Sequence, residues 1–156
     1  MIVELAKAAD AAPIGDMSRR LIEHDLPWTW TAPRVARYIR HPDCVVLVAR
    51  TQSQLIGFAV MHFGDDSAHL NLLAVEPHVQ RRGIGQALMR WLEESAIVAG
   101  TFTINLEVRA QNARARQFYR RLGYMEQRRA HRYYSGIEDA IHLSRDLRVF
   151  RGENAG

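Results

Sequence analysis

The residues best suited to chemistry are Gln80-Arg81-Arg82-Gly83-Ile84-Gly85-Gln86, a basic glycine loop between an apolar run ending at Val75 and a stretch of helical periodicity. Glycine lets backbone N–H groups approach a ligand closely, and a helix start adds unpaired donors and the positive end of the helix dipole. With Arg81 and Arg82 beside it, the segment is built to hold an anion such as a phosphate. A Walker loop needs Gly-Lys-Ser/Thr at its end, and that sequence is absent. A dinucleotide fingerprint comes nearer, because Glu107 follows Gly83-x-Gly85 about 20 residues later. However, Leu88 stands where the third glycine belongs, the loop follows an antiparallel meander, and too little chain remains to complete that fold. The plain alternative is a strand-to-helix turn with glycines for backbone reasons and arginines for solubility.

Further along, Glu107 lies in an alternating run and Tyr119 in the next helical stretch. A carboxylate can accept a proton and a phenol can donate one. The bland readings are a salt-bridged strand glutamate and a core tyrosine, since Tyr119 shares an apolar stripe with Ala115, Phe118 and Leu122. Asn112 can be simply a helix cap. His69, His78, His131 and His142 are scattered without paired ligand spacing, so no metal is expected. The single cysteine, Cys44, opens the apolar run Cys44 to Ala49 and reads as a packed thiol without an activating base. Trp28, Trp30, Tyr133 and Tyr134 either line a substrate groove or belong to the core.

The elements that must position these groups follow from periodicity. After a short apolar start at residues 2 to 6, Ile14, Met17, Leu21 and Ile22 predict a helix from about Asp10 to His24. A second helix begins after Thr31 and ends before His41-Pro42, because the residue ahead of proline avoids helical geometry. Cys44 to Arg50, Leu55 to Phe63 and Ala68 to Val75 are β-rich runs with short links, which implies an antiparallel meander. Ile84, Leu88, Trp91 and Leu92 mark a helix to about Ala99, with Gly100 as terminator. Thr103 to Arg109 alternates, with Asn105, Glu107 and Arg109 as a polar row. A helix follows Asn112 and stops at Gly123, and Tyr124 to Arg129 with Glu138 to Leu147 complete the sheet.

A chain of 156 residues, 47% hydrophobic and 24% charged, fits one globular domain over residues 1–156. Its net charge of +4, carried mostly by arginine, suits an anionic ligand, yet lacks the dense basic blocks of nucleic-acid binders, so nucleic acid is not the expected partner. With no membrane span or signal-peptide layout visible, a cytoplasmic protein is expected.

Gln80-Arg81-Arg82-Gly83-Ile84-Gly85 resembles the Gln/Arg-x-x-Gly-x-Gly/Ala signature of the GNAT superfamily of N-acetyltransferases. Leu106-Glu107-Val108-Arg109-Ala110-Gln111-Asn112-Ala113 and Phe118-Tyr119-Arg120-Arg121-Leu122-Gly123-Tyr124 are similar to the ribosomal-protein alanine N-acetyltransferases, the RimI-like branch. The resemblance spans roughly Ala68 to Leu147. It implies a mixed α/β fold with a central, mostly antiparallel sheet, in which acetyl-CoA wedges between the strand before the loop and the strand carrying Glu107. It assigns the pyrophosphate to Arg81, Arg82, Gly83, Ile84, Gly85 and Gln86, the pantetheine arm to Leu73, Ala74 and Val75, and a further coenzyme contact to Asn112. Glu107 becomes the general base and Tyr119 the general acid, with no metal. The implied acceptor is the α-amine of a protein or peptide. The alternatives are a small amine such as a polyamine, amino acid or aminoglycoside, or a non-catalytic acyl-CoA-binding module. The resemblance leaves open a monomer or a homodimer. Leu26-Pro27-Trp28 is similar to the aromatic segment that follows the first helix in that branch, and Arg132-Tyr133-Tyr134 followed by Glu138-Asp139-Ala140 to its C-terminal pattern, although the loop between them is shorter here.

Overall fold

The computed structural model describes residues 1–134 and 136–149. A seven-stranded sheet in the order β1-β2-β3-β4-β5-β7-β6 forms the centre. Its strands are β1 (Ile2–Leu5), β2 (Cys44–Thr51), β3 (Gln54–Phe63), β4 (Ala68–Val75), β5 (Thr103–Arg109), β6 (Met125–Tyr134) and β7 (Glu138–Asp146). The helices α1 (Ala11–Leu21) and α2 (Ala32–Arg40) cover one face, and α3 (Ile84–Val98) and α4 (Ala113–Arg121) the other. The sheet therefore has two apolar layers. Val46, Val48, Phe58 and Val60 pack under α1 and α2, while Leu47, Ala59, Met61 and Leu106 pack under α3 with Leu88 and Leu92. Alternation along each strand sends neighbouring residues to opposite layers.

The pairing around β4 sets up the site. Val60 of β3 pairs with Leu72, but Met61 pairs with Leu70, so Asn71 is an extra residue, a β-bulge. Residues two apart normally share a face, yet Leu70 packs in the α3 layer and Leu72 in the α1 and α2 layer. Across the other edge, β4 and β5 run parallel and pair only at Ala68 with Ile104, His69 with Asn105, and Leu70 with Leu106. Pairing stops at the bulge. Beyond it Leu73, Ala74 and Val75 stay bonded to β3 while their β5 side is left open.

Most elements match the sequence expectation, and the differences have local causes. The apolar start is a strand, β1, paired antiparallel with β2. The first helix ends at Leu21, short of His24, as the Glu23 N–H turns back to the Ser18 carbonyl. Tyr124 precedes β6 instead of opening it, because its buried ring sends its hydroxyl to Glu93 at 2.8 Å. β6 runs on to Tyr134, taking Arg132, Tyr133 and Tyr134 out of the expected loop.

Candidate active site

Gly83 sits at φ +79° as the residue capping α3, and nothing lies within 4 Å of a Cβ added there. Glycine is needed at that position for backbone conformation alone. At Gly85 the reason is different: an added Cβ would come 3.2 Å from Phe118 Cζ, so glycine lets α3 close on α4. The first intrahelical bond runs from the Ala87 N–H to the Gly83 carbonyl at 3.0 Å. The N–H groups of Ile84, Gly85 and Gln86 precede it and have no backbone partner among the described residues. Gln80 Nε2 donates to the Val75 carbonyl at 3.0 Å and ties the loop to the end of β4. Arg81 and Arg82 are exposed and form no ion pair among the described residues. Free donors, a helix start and two uncommitted guanidiniums fit a pyrophosphate, and the open side of β4 fits an extended amide arm.

Glu107 is the first β5 residue beyond the last β4 pair. Its side chain is 13% exposed. Oε1 lies 2.7 Å from His69 Nε2 and accepts from the Tyr133 hydroxyl at 3.1 Å, while Oε2 lies 2.7 Å from His142 Nδ1. Burial works to raise the carboxyl pKa, but the hydrogen bond and charge of His69, with the hydrogen bonds of His142 and Tyr133, outweigh it and hold the group down to about 2. Glu107 is therefore a carboxylate throughout the working range. Two of the histidines that look scattered in the sequence thus converge, from β4 and β7, on one oxygen each of this group. The register explains the second: His142 is the direct cross-strand partner of Glu107. Among the described residues no cluster of three His, Cys, Asp or Glu is arranged to hold a metal ion.

Tyr119 lies on α4, across the sheet from this cluster, and is 6% exposed. Its ring meets Phe118 and Tyr124 edge-on at 5.0 and 5.7 Å. Burial first, and the neighbouring Tyr134 second, raise its pKa. The phenol stays protonated at neutral pH and is available as a proton donor. No bond joins it to Glu107; Tyr134, whose own pKa is raised by burial and by the charges of Tyr133 and Glu107, stands in the field of both. Asn112 caps α4, its Oδ1 accepting from the Ala115 N–H at 3.0 Å, which leaves only its amide nitrogen for a coenzyme.

The α1–α2 loop closes the same face. Glu23 is buried beneath it, accepting from Ser18 Oγ at 3.1 Å and from the N–H groups of Thr29 and Trp30 at 2.8 and 3.2 Å. Arg109, on the same face of β5 as Glu107, donates to the carbonyls of Ile22 and His24, both at 2.7 Å. The candidate aromatics divide. Trp30 is core, with Arg34 stacked 3.9 Å from its ring, whereas Trp28 is 41% and Tyr133 49% exposed. Cys44 is partly exposed, and burial with the nearby Asp43 charge raises its thiol pKa, the opposite of an activated nucleophile.

Residues 16–124 match the Acetyltransferase (GNAT) family. The chain is 35% identical over 124 residues to the ribosomal protein bS18-alanine N-acetyltransferase of Salmonella typhimurium, covering 76% of this chain and 80% of that one. An uncharacterized N-acetyltransferase of Methanocaldococcus jannaschii is 30% identical over 142 residues, 90% of this chain and 88% of the relative. The crystal structure of the ribosomal-protein-S18-alanine N-acetyltransferase from Escherichia coli superposes with a TM-score of 0.80 at 29% identity, covering 98% and 97% of the two chains. A glycine loop at the head of α3, a wedge beyond the bulge of β4 and these similarities meet in one conclusion: the chain is an acetyl-CoA-dependent N-acetyltransferase of the Acetyltransferase (GNAT) family.

Proposed function

We propose that this chain, as a single catalytic domain in the cytoplasm, acetylates the N-terminal α-amine of a protein. The observation that carries the reading is the position of Glu107, at the point where β5 parts from the strand that leads into the coenzyme loop. An acetyl group delivered along the open side of Leu73, Ala74 and Val75 would meet an amine entering beside Glu107 and Tyr133. The similarity to bS18-alanine N-acetyltransferases over most of the chain supports the acceptor class. Chemistry supports it too, because an amine attacks only when neutral. An α-amine of pKa ~8 gives up its proton far more readily than a lysine of pKa ~10.4, each unit being about 1.4 kcal/mol.

In this reading Arg81, Arg82 and the N–H groups from Gly83 to Gln86 hold the pyrophosphate, and Leu73 to Val75 align the arm by strand-like bonds. Asn112 adds its amide nitrogen. The Glu107 cluster receives the proton of the incoming ammonium. The neutral amine forms the N–C bond, and backbone N–H groups of β4 stabilise the oxyanion. The C–S bond then breaks, with Tyr119 donating to the departing thiolate and regaining a proton through solvent as the attacking nitrogen sheds its second hydrogen. No covalent enzyme intermediate and no metal are needed.

The test is mass spectrometry of acetyl transfer to a panel of peptides with free N-termini, peptides whose only amine is lysine, and polyamines. Acetylated N-termini are the expected product. Modified polyamines alone would move the enzyme to small-amine chemistry, and coenzyme binding without product would leave a binding module.

A further inference from the structure

We propose that His69 is the general base of the transfer, its Nδ1 taking the proton of the acceptor ammonium, while Glu107 positions it by accepting the Nε2–H. This rests on the acetyltransferase reading above and names the atom that does its proton transfer. The geometry fixes the tautomers. An ionised carboxylate only accepts hydrogen bonds, so the ring nitrogens 2.7 Å from its oxygens, His69 Nε2 and His142 Nδ1, each carry hydrogen. That leaves His69 Nδ1 and His142 Nε2 with lone pairs when the rings are neutral.

Position separates the two rings. His69 is on β4, one residue before pairing with β5 ends and two before the bulge, on the wedge side of Glu107. His142 is on β7, on the far side of β5 from the wedge. The His69 side chain is 38% exposed against 18% for His142, so His69 is the more open of the two to an incoming amine and to solvent. His142 and Tyr133 hold the carboxylate in place, as the third member does when it orients a histidine in other imidazole-based sites.

Hydrogen-bond capacity points the same way. Both carboxylate oxygens of Glu107 are engaged by His69, Tyr133 and His142, whereas His69 Nδ1 has no partner among the described residues. The charged and titratable groups facing this pair are Tyr133 and Tyr134 from β6, His142 from β7, Arg109 on β5 with its Glu138 partner, and His62 on β3, the cross-strand partner of His69, whose ring meets His41 after α2. The balance closes. One of the two protons lost by the amine nitrogen passes to His69 Nδ1 and on to water, and the other ends on the coenzyme thiol.

The experiment is the pH dependence of kcat/KM for an N-terminal peptide, from pH 5.5 to 9, in the native enzyme, His69→Gln and His142→Gln, with coenzyme A affinity measured alongside. Glutamine at position 69 keeps an N–H donor for Glu107 and removes the basic nitrogen. His69→Gln should lose about 100-fold at pH 7, at the low end of what a general base contributes. It should keep its coenzyme affinity, lose the imidazole limb of the profile, and be rescued in part by added imidazole. His142→Gln should keep that limb. A His69→Gln enzyme with native rate and profile would overturn the proposal while leaving the acetyltransferase reading intact. A native enzyme that acetylates no amine would sink both.

Discussion

The coenzyme loop and the Glu107 cluster are built in opposite ways. The loop is a contiguous run, Gln80 to Gln86, whose unpartnered backbone N–H groups are set by one left-handed glycine and one glycine of close approach. The cluster gathers His69, Glu107, Tyr133 and His142 from four strands, and its properties come entirely from side chains. Backbone donors at a helix start are fixed by local sequence, so such a site survives substitution of side chains around it. A cluster assembled through sheet register depends on every strand that contributes, and changing one member changes the electrostatics of all.

That contrast yields tests in which each region is damaged separately. Gly85→Val should damage the loop, since its side chain must displace Phe118 from α3; overpacking should lower urea stability by about 1–3 kcal/mol and raise the KM for acetyl-CoA in steady-state kinetics. The difference in stability between pH 7 and pH 3 should stay at its native value. That difference belongs to the cluster. Glu107 has its folded pKa depressed from 4.5 to about 2, so it contributes stability above pH 4.5 that is lost as pH falls toward 2. Urea unfolding at pH 7 and pH 3 should show a drop larger by on the order of 2 kcal/mol in the native protein than in Glu107→Gln. An equal drop in both would mean that the histidine contacts do not stabilise the carboxylate. Tyr119→Phe keeps the ring stack and removes the donor, so single-turnover transfer should slow by roughly tenfold with unchanged coenzyme affinity. A native rate would reduce Tyr119 to packing.

The same contrast explains what the sequence could disclose. The loop, the helix after it, and the alternation of Thr103 to Arg109 are local patterns, and the structure follows them residue for residue at β5 and β4. The backbone elements around the glycine loop were therefore legible. The bulge at Asn71 was not, because it is defined by the mismatch of Val60 and Met61 against Leu72 and Leu70 on another strand. Nor were the roles of His69 and His142. Thirty-eight and thirty-five residues separate them from Glu107, and only the parallel register of β4 and the antiparallel register of β7 bring them to it. Arg109 and Glu23, which pin the α1–α2 loop, were hidden for the same reason: one reaches carbonyls 85 and 87 residues away, and the other looks like an ordinary surface acid until the loop folds over it.

The most direct test of this division is to measure coenzyme A binding by calorimetry and acetyl transfer by mass spectrometry on the same preparation of Glu107→Gln. The account predicts a Kd within about twofold of native and a kcat lower by roughly 10- to 100-fold, since only the proton-handling region is touched. Coenzyme affinity falling in step with kcat, or a kcat left at the native value, would contradict it.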